Sequence, residues 1–132
     1  MERNTLLIVD DFEFNRAVLC DAFSERNIIQ AENGFKAIEE FEKHKEEICA
    51  VLTDLVMPVL DGFGLLDYMR KNGYLKEVPV FVFSADSSQK SLNRAYELEA
   101  EDVINKPFNV RFVKKRIDNI IELYRLRKQL GE

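Results

Sequence analysis

A single α/β domain built on a parallel sheet, with helices on both faces, is predicted by three observations on this 132-residue chain. Apolar runs of strand length alternate with segments of helical period, which is the pattern of consecutive βαβ units. Four of these runs end on polar residues: Asp10-Asp11 after Leu6-Leu7-Ile8-Val9, Asp54 after Ile48-Cys49-Ala50-Val51-Leu52, Ser84 after Val80-Phe81-Val82-Phe83, and Lys106-Pro107 after Val103-Ile104. The length is that of one domain, enough to bury roughly two-thirds of the unfolded surface around one core. A second full domain has no room.

The strands are expected near residues 5–10, 27–31, 48–53, 78–84 and 102–105. The first helix is expected from Glu13 to Arg26, with Phe14, Val18, Ala22 and Phe23 as its inward stripe. The second starts near Gly34 and buries Ala37, Ile38 and Phe41. The third opens near Gly62, carries Leu65, Leu66 and Met69 inward, and stops at Asn72-Gly73 in a left-handed turn. Ser87 or Ser88 caps the fourth, whose inward residues are Leu92, Ala95 and Tyr96. The fifth runs from about Asn109 to Leu130, roughly 33 Å at 1.5 Å per residue and about two turns longer than the sheet requires. Its apolar residues fall on two seams, Val113, Ile117, Ile120 and Tyr124 on one, Leu123, Leu126 and Leu130 on the other at heptad spacing. Right-handed crossovers make the flavodoxin-like strand order 2-1-3-4-5 the expected topology.

Composition narrows the function. Nearly half of the residues are apolar and a third are charged, the balance of a soluble globule. No apolar run approaches the ~20 residues of a membrane span, and the expected location is cytoplasmic. Cys20 and Cys49 lie far apart without metal-ligand spacing and read as buried thiols of a reduced compartment. The lone His44 sits in a charged run and reads as a surface residue. The net charge is −5, yet residues 109–128 carry seven Lys or Arg against Asp118 and Glu122. An acidic body argues against direct nucleic-acid binding. The basic stretch reads as the solvated face of the last helix, with a phosphate-binding patch as the alternative.

In an open parallel sheet the carboxyl ends of the strands share one edge, and ligands bind outside it. Asp10, Asp11, Asp54, Ser84 and Lys106 are therefore expected at one site. An oxygen-only set of donors suits a hard cation such as Mg²⁺. Two carboxylates ~4 Å apart repel by about 4 kcal/mol at an effective dielectric near 20, so three of them call for a cation. The arrangement fits phosphoryl transfer to a carboxylate, with Asp54 as acceptor and Lys106 and the metal neutralising the phosphoryl oxygens.

Over residues 5 to about 124 the chain resembles the receiver (CheY-like) domains of two-component response regulators. The matching segments are Leu7-Ile8-Val9-Asp10-Asp11, Leu52-Thr53-Asp54-Leu55-Val56-Met57-Pro58-Val59-Leu60-Asp61-Gly62, Val82-Phe83-Ser84-Ala85 and Asn105-Lys106-Pro107-Phe108. The resemblance implies that Asp54 accepts phosphate from a sensor histidine kinase or phosphotransfer protein. It implies that Asp11, Asp54 and the backbone carbonyl of Val56 ligate Mg²⁺, with Asp10 acting through a metal-bound water, and that Ser84 and Lys106 contact the phosphoryl group. It also implies a cis Lys106-Pro107 peptide. Val56 and Asp86, two residues beyond Asp54 and Ser84, would flank the path of a hydrolytic water.

Departures from the family pattern carry expectations of their own. Val103 replaces the usual aromatic residue three before the lysine, so the signal is expected through the loop after Ser84, the fourth helix and the start of the fifth. Glu99 stands where glycine commonly ends the fourth helix, and a differently built cap is expected there. Asp102 and Arg116 either pair across a homodimer of the fourth-helix, fifth-strand and fifth-helix face or pair within one chain. The division expected is a receiver over 1–124 and a continuation of the last helix over 125–132, a second route to a homodimer and a connector to an output domain. The reading is a switch and not an enzyme. Its rivals are a receiver-like dimerisation module without phosphorylation and a haloacid dehalogenase-type phosphatase. The phosphatase requires a second acid two residues after its nucleophile, and Phe12 and Glu13 supply a poor match.

Overall fold

The computed structural model describes residues 3–131. Five parallel strands form one sheet: β1 (Thr5–Val9), β2 (Asn27–Ala31), β3 (Ile48–Asp54), β4 (Val80–Ser84) and β5 (Asp102–Asn105). Their spatial order is β2-β1-β3-β4-β5, as the crossover rule predicts. The helices are α1 (Glu13–Ala22), α2 (Gly34–His44), α3 (Gly62–Lys71), α4 (Gln89–Glu97) and α5 (Val110–Gln129), with a single 3₁₀ turn at Tyr74–Lys76.

Strand residues alternate between two apolar layers because side chains switch faces at each step. Leu7, Val9, Val51, Val80 and Val82 pack under α2, α3 and α4 through Ala37, Phe41, Leu65, Leu66, Met69 and Ala95. Leu6, Ile8, Ala50, Leu52, Phe81, Phe83 and Ile104 face the other way, under α1 and α5. Both faces are covered, so these strands read as continuous apolar runs. Among the described residues no helix is long and apolar enough to cross a membrane.

Caps explain where the helices start. The side chains of Asn33, Asp61, Ser88 and Asn109 each accept a hydrogen bond from the backbone N–H three residues on. Gly73 takes the left-handed conformation after α3 with φ 74°.

Three details depart from the sequence reading. The first helix ends at Ala22 instead of Arg26, and Phe14 is 77% exposed while Leu19 is buried. The opening turn of α1 lies beyond the strand ends, so Phe14 has no sheet to cover. Tyr96 also stays exposed, its hydroxyl 3.4 Å from Asp102 Oδ1. On α5 the buried stripe is Val113, Ile117 and Ile121, with Ile120 packed at its margin and Leu123, Leu126 and Leu130 exposed. Cys20 and Cys49 are free thiols, Cys49 buried and Cys20 half-buried.

Glu99 corrects a further expectation. The cap of α4 is the usual left-handed one, with Glu99 at φ 67°. The Glu99 N–H donates to the Tyr96 carbonyl at 2.9 Å and the Ala100 N–H to the Ala95 carbonyl at 3.0 Å, the paired bonds of a Schellman motif. A β-carbon in that conformation is crowded by the following carbonyl, and the Ala100 side chain buried behind it holds the turn in place. Glu99→Gly is therefore expected to raise stability by about 0.5–1 kcal/mol. Urea unfolding will show this as a higher midpoint with an unchanged slope.

Candidate functional site

Strand register brings the polar residues to one edge. Val9 pairs with Thr53, Asp54 with Phe83, and Ser84 with Asn105, so the residues just past β1, β3, β4 and β5 stand side by side. Asp10 is 4% exposed, and its Oδ1 accepts the Phe12 N–H at 2.9 Å. Arg16 fixes the same loop, donating from Nη1 to the Asp10 carbonyl at 2.7 Å and from Nε to Gln30 at 2.9 Å. Asp11 is exposed and Asp54 half-buried. One carboxylate oxygen from each of Asp10, Asp11 and Asp54 lies within 4.8 Å of the others.

Lys106 faces this cluster. Its backbone N–H donates to the Ser84 carbonyl at 2.8 Å, and its Nζ lies 2.7 Å from Asp54 Oδ1 and 3.7 Å from Asp10 Oδ2. The Lys106-Pro107 peptide is cis, as the resemblance implied. Burial pushes the Asp54 carboxyl above its ordinary range; the Lys106 ammonium opposes the shift and the Asp10 charge adds to it.

The loop after β3 is wound tightly enough to keep Asp54 at the rim. Leu55 N–H donates to the Phe83 carbonyl at 2.9 Å and Gly62 N–H to the Leu55 carbonyl at 2.8 Å. A β-carbon at Gly62 would meet the Asp54 carbonyl oxygen at 2.6 Å, so only glycine fits. Val59 has φ 72°, and Leu60 N–H donates to the Pro58 carbonyl across it at 2.9 Å, a γ-turn on a β-branched residue that is 81% exposed.

Ser84 is buried at the end of β4. Its hydroxyl accepts from the Asp86 N–H at 2.9 Å and donates to the Asp86 carbonyl at 3.0 Å. The Asp86 carboxylate is engaged at the start of α4. It accepts from Ser91 Oγ at 2.5 Å and from the Ser88 N–H at 2.8 Å, and these bonds hold its carboxyl below the usual range. Ser84, Asp86 and Ser91 thus form a chain from the strand end to the first turn of α4. Around the pocket Phe12, Phe14, Val56, Val59 and Phe112 are exposed, an apolar rim that helical periodicity alone did not mark as surface. Arg116 pairs with Asp102 inside the chain.

The carboxyl edge of a doubly wound parallel sheet thus carries an acidic cluster and a facing lysine, a set of groups suited to a hard cation. The pattern of the response regulator receiver domain matches residues 6–118, and the chain belongs to that family. A Rhizobium etli protein named "Probable chemotaxis protein CheY" is 30% identical over 125 residues, covering 90% of this chain and 93% of the relative. Histidine kinase P4 of Formosa agariphila is 30% identical over 122 residues, where 92% of this chain spans only 9% of the kinase. The solved CheX–CheY–BeF3–Mg complex of Borrelia burgdorferi contains a chain with TM-score 0.81 and 27% identity, covering 90% of each. A response regulator receiver domain protein from Clostridium thermocellum shares the fold at TM-score 0.83 and 20% identity, covering 98% of this chain and 99% of that one. The protein is a homologue of CheY and other response regulators, and its function is that of a phosphorylation-controlled signalling switch.

The raised Asp54 pKa has a consequence for stability. A carboxyl whose folded pKa lies above its unfolded value favours the fold when protonated, and this contribution is lost as pH rises through the folded pKa. At neutral pH without divalent cation, ionised Asp54 therefore opposes folding. Asp54→Asn is expected to raise the thermal midpoint in EDTA at pH 7, and the difference should shrink below the unfolded carboxyl pKa of about 4. A calorimetric pH series checks both.

Proposed function

We propose that Asp54 is the phosphoacceptor, taking a phosphoryl group from the phosphohistidine of a sensor histidine kinase or phosphotransfer protein. The observation that carries this reading is the Lys106 ammonium 2.7 Å from Asp54 Oδ1 at a cluster of three carboxylates. An Asp54 carboxylate oxygen forms the new O–P bond as the donor N–P bond breaks, and the imidazole leaves with that electron pair and takes up a proton. The donor set fits a hard cation, since all three side chains offer oxygen and a single ammonium leaves them underneutralised. Asp10, Asp11, Asp54 and the Val56 carbonyl would hold Mg²⁺, which supplies positive charge against the phosphoryl oxygens.

Lys106 exchanges its bond to Asp54 for one to a phosphoryl oxygen, and Ser84 turns its hydroxyl from Asp86 to another. Releasing Asp86 loosens the turn whose carboxylate holds Ser88 and Ser91, so the start of α4 moves with the modification. Moving the equilibrium from 1:99 to 99:1 requires about 5.5 kcal/mol of differential binding, which the two charge-assisted contacts and the repacked loop share. Val103 is half-buried and has no ring to swing, so the relay runs through this loop.

The apolar rim of Phe12, Phe14 and Phe112 supports docking of a protein donor beside the acidic pocket. The domain acts as a phosphoacceptor that catalyses at most its own phosphorylation and dephosphorylation, in the cytoplasm. We read residues 1–124 as the receiver and the last turns of α5, which runs to Gln129 and not to the end of the expected 125–132 extension, as a connector. The exposed Leu123, Leu126 and Leu130 support self-association along that helix. A homodimer over α4, β5 and α5 would have to redirect the Asp102–Arg116 pair, which lies within the chain.

Acetyl phosphate with Mg²⁺ is expected to give an alkali-labile adduct of one phosphoryl group, seen by intact mass, with none on Asp54→Asn. An equal adduct on that variant would overturn the assignment, and continuous phosphate release would restore the phosphatase. Ser84→Ala should still bind beryllofluoride while losing the amide shifts of residues 86–91. Retention of those shifts would sink the relay.

A further inference from the structure

At the sheet edge opposite the acidic pocket lies a second cavity, of about 1090 Å³. Its walls come from four places in the chain: the approach to β1, the approach to β2, the segment 73–77 and the last turns of α5. The overhang of α5 beyond its buried stripe at Val113, Ile117 and Ile121 therefore encloses space instead of covering sheet. Six cationic side chains line it, Arg3, Arg26, Lys76, Arg125, Arg127 and Lys128, against only Glu77 and Glu122. The chain as a whole carries −5, so this concentration of positive charge runs against the composition.

A solvated helix face does not account for the arrangement, because half of these cations come from outside α5 and converge on one concavity. Arg26 is held in place: Nη2 donates to Asp118 at 3.0 Å and Nη1 to Asn4 at 3.1 Å, and its side chain is only 15% exposed. Arg3 is equally covered and donates to Glu77 at 2.8 Å. Lys128 approaches the same carboxylate from α5 at 3.5 Å, so an exposed Glu77 draws cations from two walls. The Glu77 pairs are exposed and readily exchanged, which makes Arg3 and Lys128 available to a phosphate, while Arg26 stays with Asp118 and holds the wall in place. The floor is apolar: Cys49, Leu75, Ile121 and the Tyr124 ring, over which Arg127 lies at 5.4 Å.

We propose that this cavity binds a nucleotide, its phosphates taken by Arg3 and Lys128 and its base lying against Tyr124 and Leu75. Cations at the rim match the phosphates, and a flat aromatic floor with an arginine above it matches a planar base. An acidic peptide would satisfy the charges but would leave the apolar floor unused. The site stands on its own geometry, at the edge remote from Asp54.

Calorimetric titration of the whole chain with GTP and with ATP, in EDTA at physiological salt, tests this. Saturable binding of at least one nucleotide is expected, weakened roughly tenfold or more by the exposed-residue variant Arg127→Gln/Lys128→Gln and unchanged by Asp54→Asn. Amide shifts should fall at Gly73, Leu75 and Tyr124. Absence of saturation by about 1 mM with both nucleotides overturns the proposal. So does equally tight binding of pyrophosphate or polyglutamate, or a shift pattern centred on Asp10 and Asp54. Matching urea midpoints for the variant and the parent chain show that a loss of binding is local.

Discussion

Three carboxylates held at one sheet edge with a single ammonium among them form the constraint around which the rest of the molecule is arranged. Parallel pairing leaves no choice about where strand ends go, so Asp10 and Asp54 are brought together by the same register that buries Val9 and Leu52. At about 4 kcal/mol of repulsion per close pair, the fold tolerates this only by leaving Asp11 in solvent, tying Asp10 to the Phe12 N–H and placing Lys106 across from Asp54. The raised pKa of Asp54 comes first from its burial at the strand end, and the neighbouring Asp10 charge adds to it. A site left with excess negative charge by its own chain is one that a divalent cation can stabilise.

The surrounding loops hold the conflict in place. Gly62 lies against the Asp54 carbonyl where no side chain fits, and its N–H returns to Leu55, so α3 begins directly behind the acceptor. Leu60, presented by the γ-turn at Val59, accepts the Gly34 N–H at 2.9 Å and links the starts of α2 and α3. Val59 pays in conformation for this link, since a β-branched residue at positive φ is strained.

Strand positions, sheet order and the gathering of Asp10, Asp11, Asp54 and Lys106 at one edge were legible in the sequence, because continuous apolar runs and the residues that end them are local signals. The cap of α4 was misjudged at Glu99 for an informative reason. Glycine lowers the cost of a left-handed turn, but the turn itself is set by Ala100 tucking into the core and by the two Schellman bonds, which a single residue type does not reveal. Phe14 failed similarly: helical periodicity identifies a face without saying whether sheet lies beneath its first turn. The basic cavity was the least legible feature. Its cations come from positions as distant as 3, 26, 76 and 128, and only the overhang of α5 brings them to one place.

Val103 sharpens the question of how a change at Asp54 travels. An aromatic side chain at that position would give the strand a swinging element of its own. A half-buried valine packed against the α2–α4 layer gives it none. In the proposed switch, what varies instead is the partner of one buried hydroxyl. Ser84 Oγ is satisfied by Asp86 in the resting arrangement, and it has the capacity to donate only one hydrogen. Whatever takes that hydrogen takes it from the turn, and the turn's carboxylate is the anchor for Ser88 and Ser91 at the start of α4. On that proposal the coupling is a competition for a single donor, and a two-state element of this kind needs no displacement in the strand to move the helix.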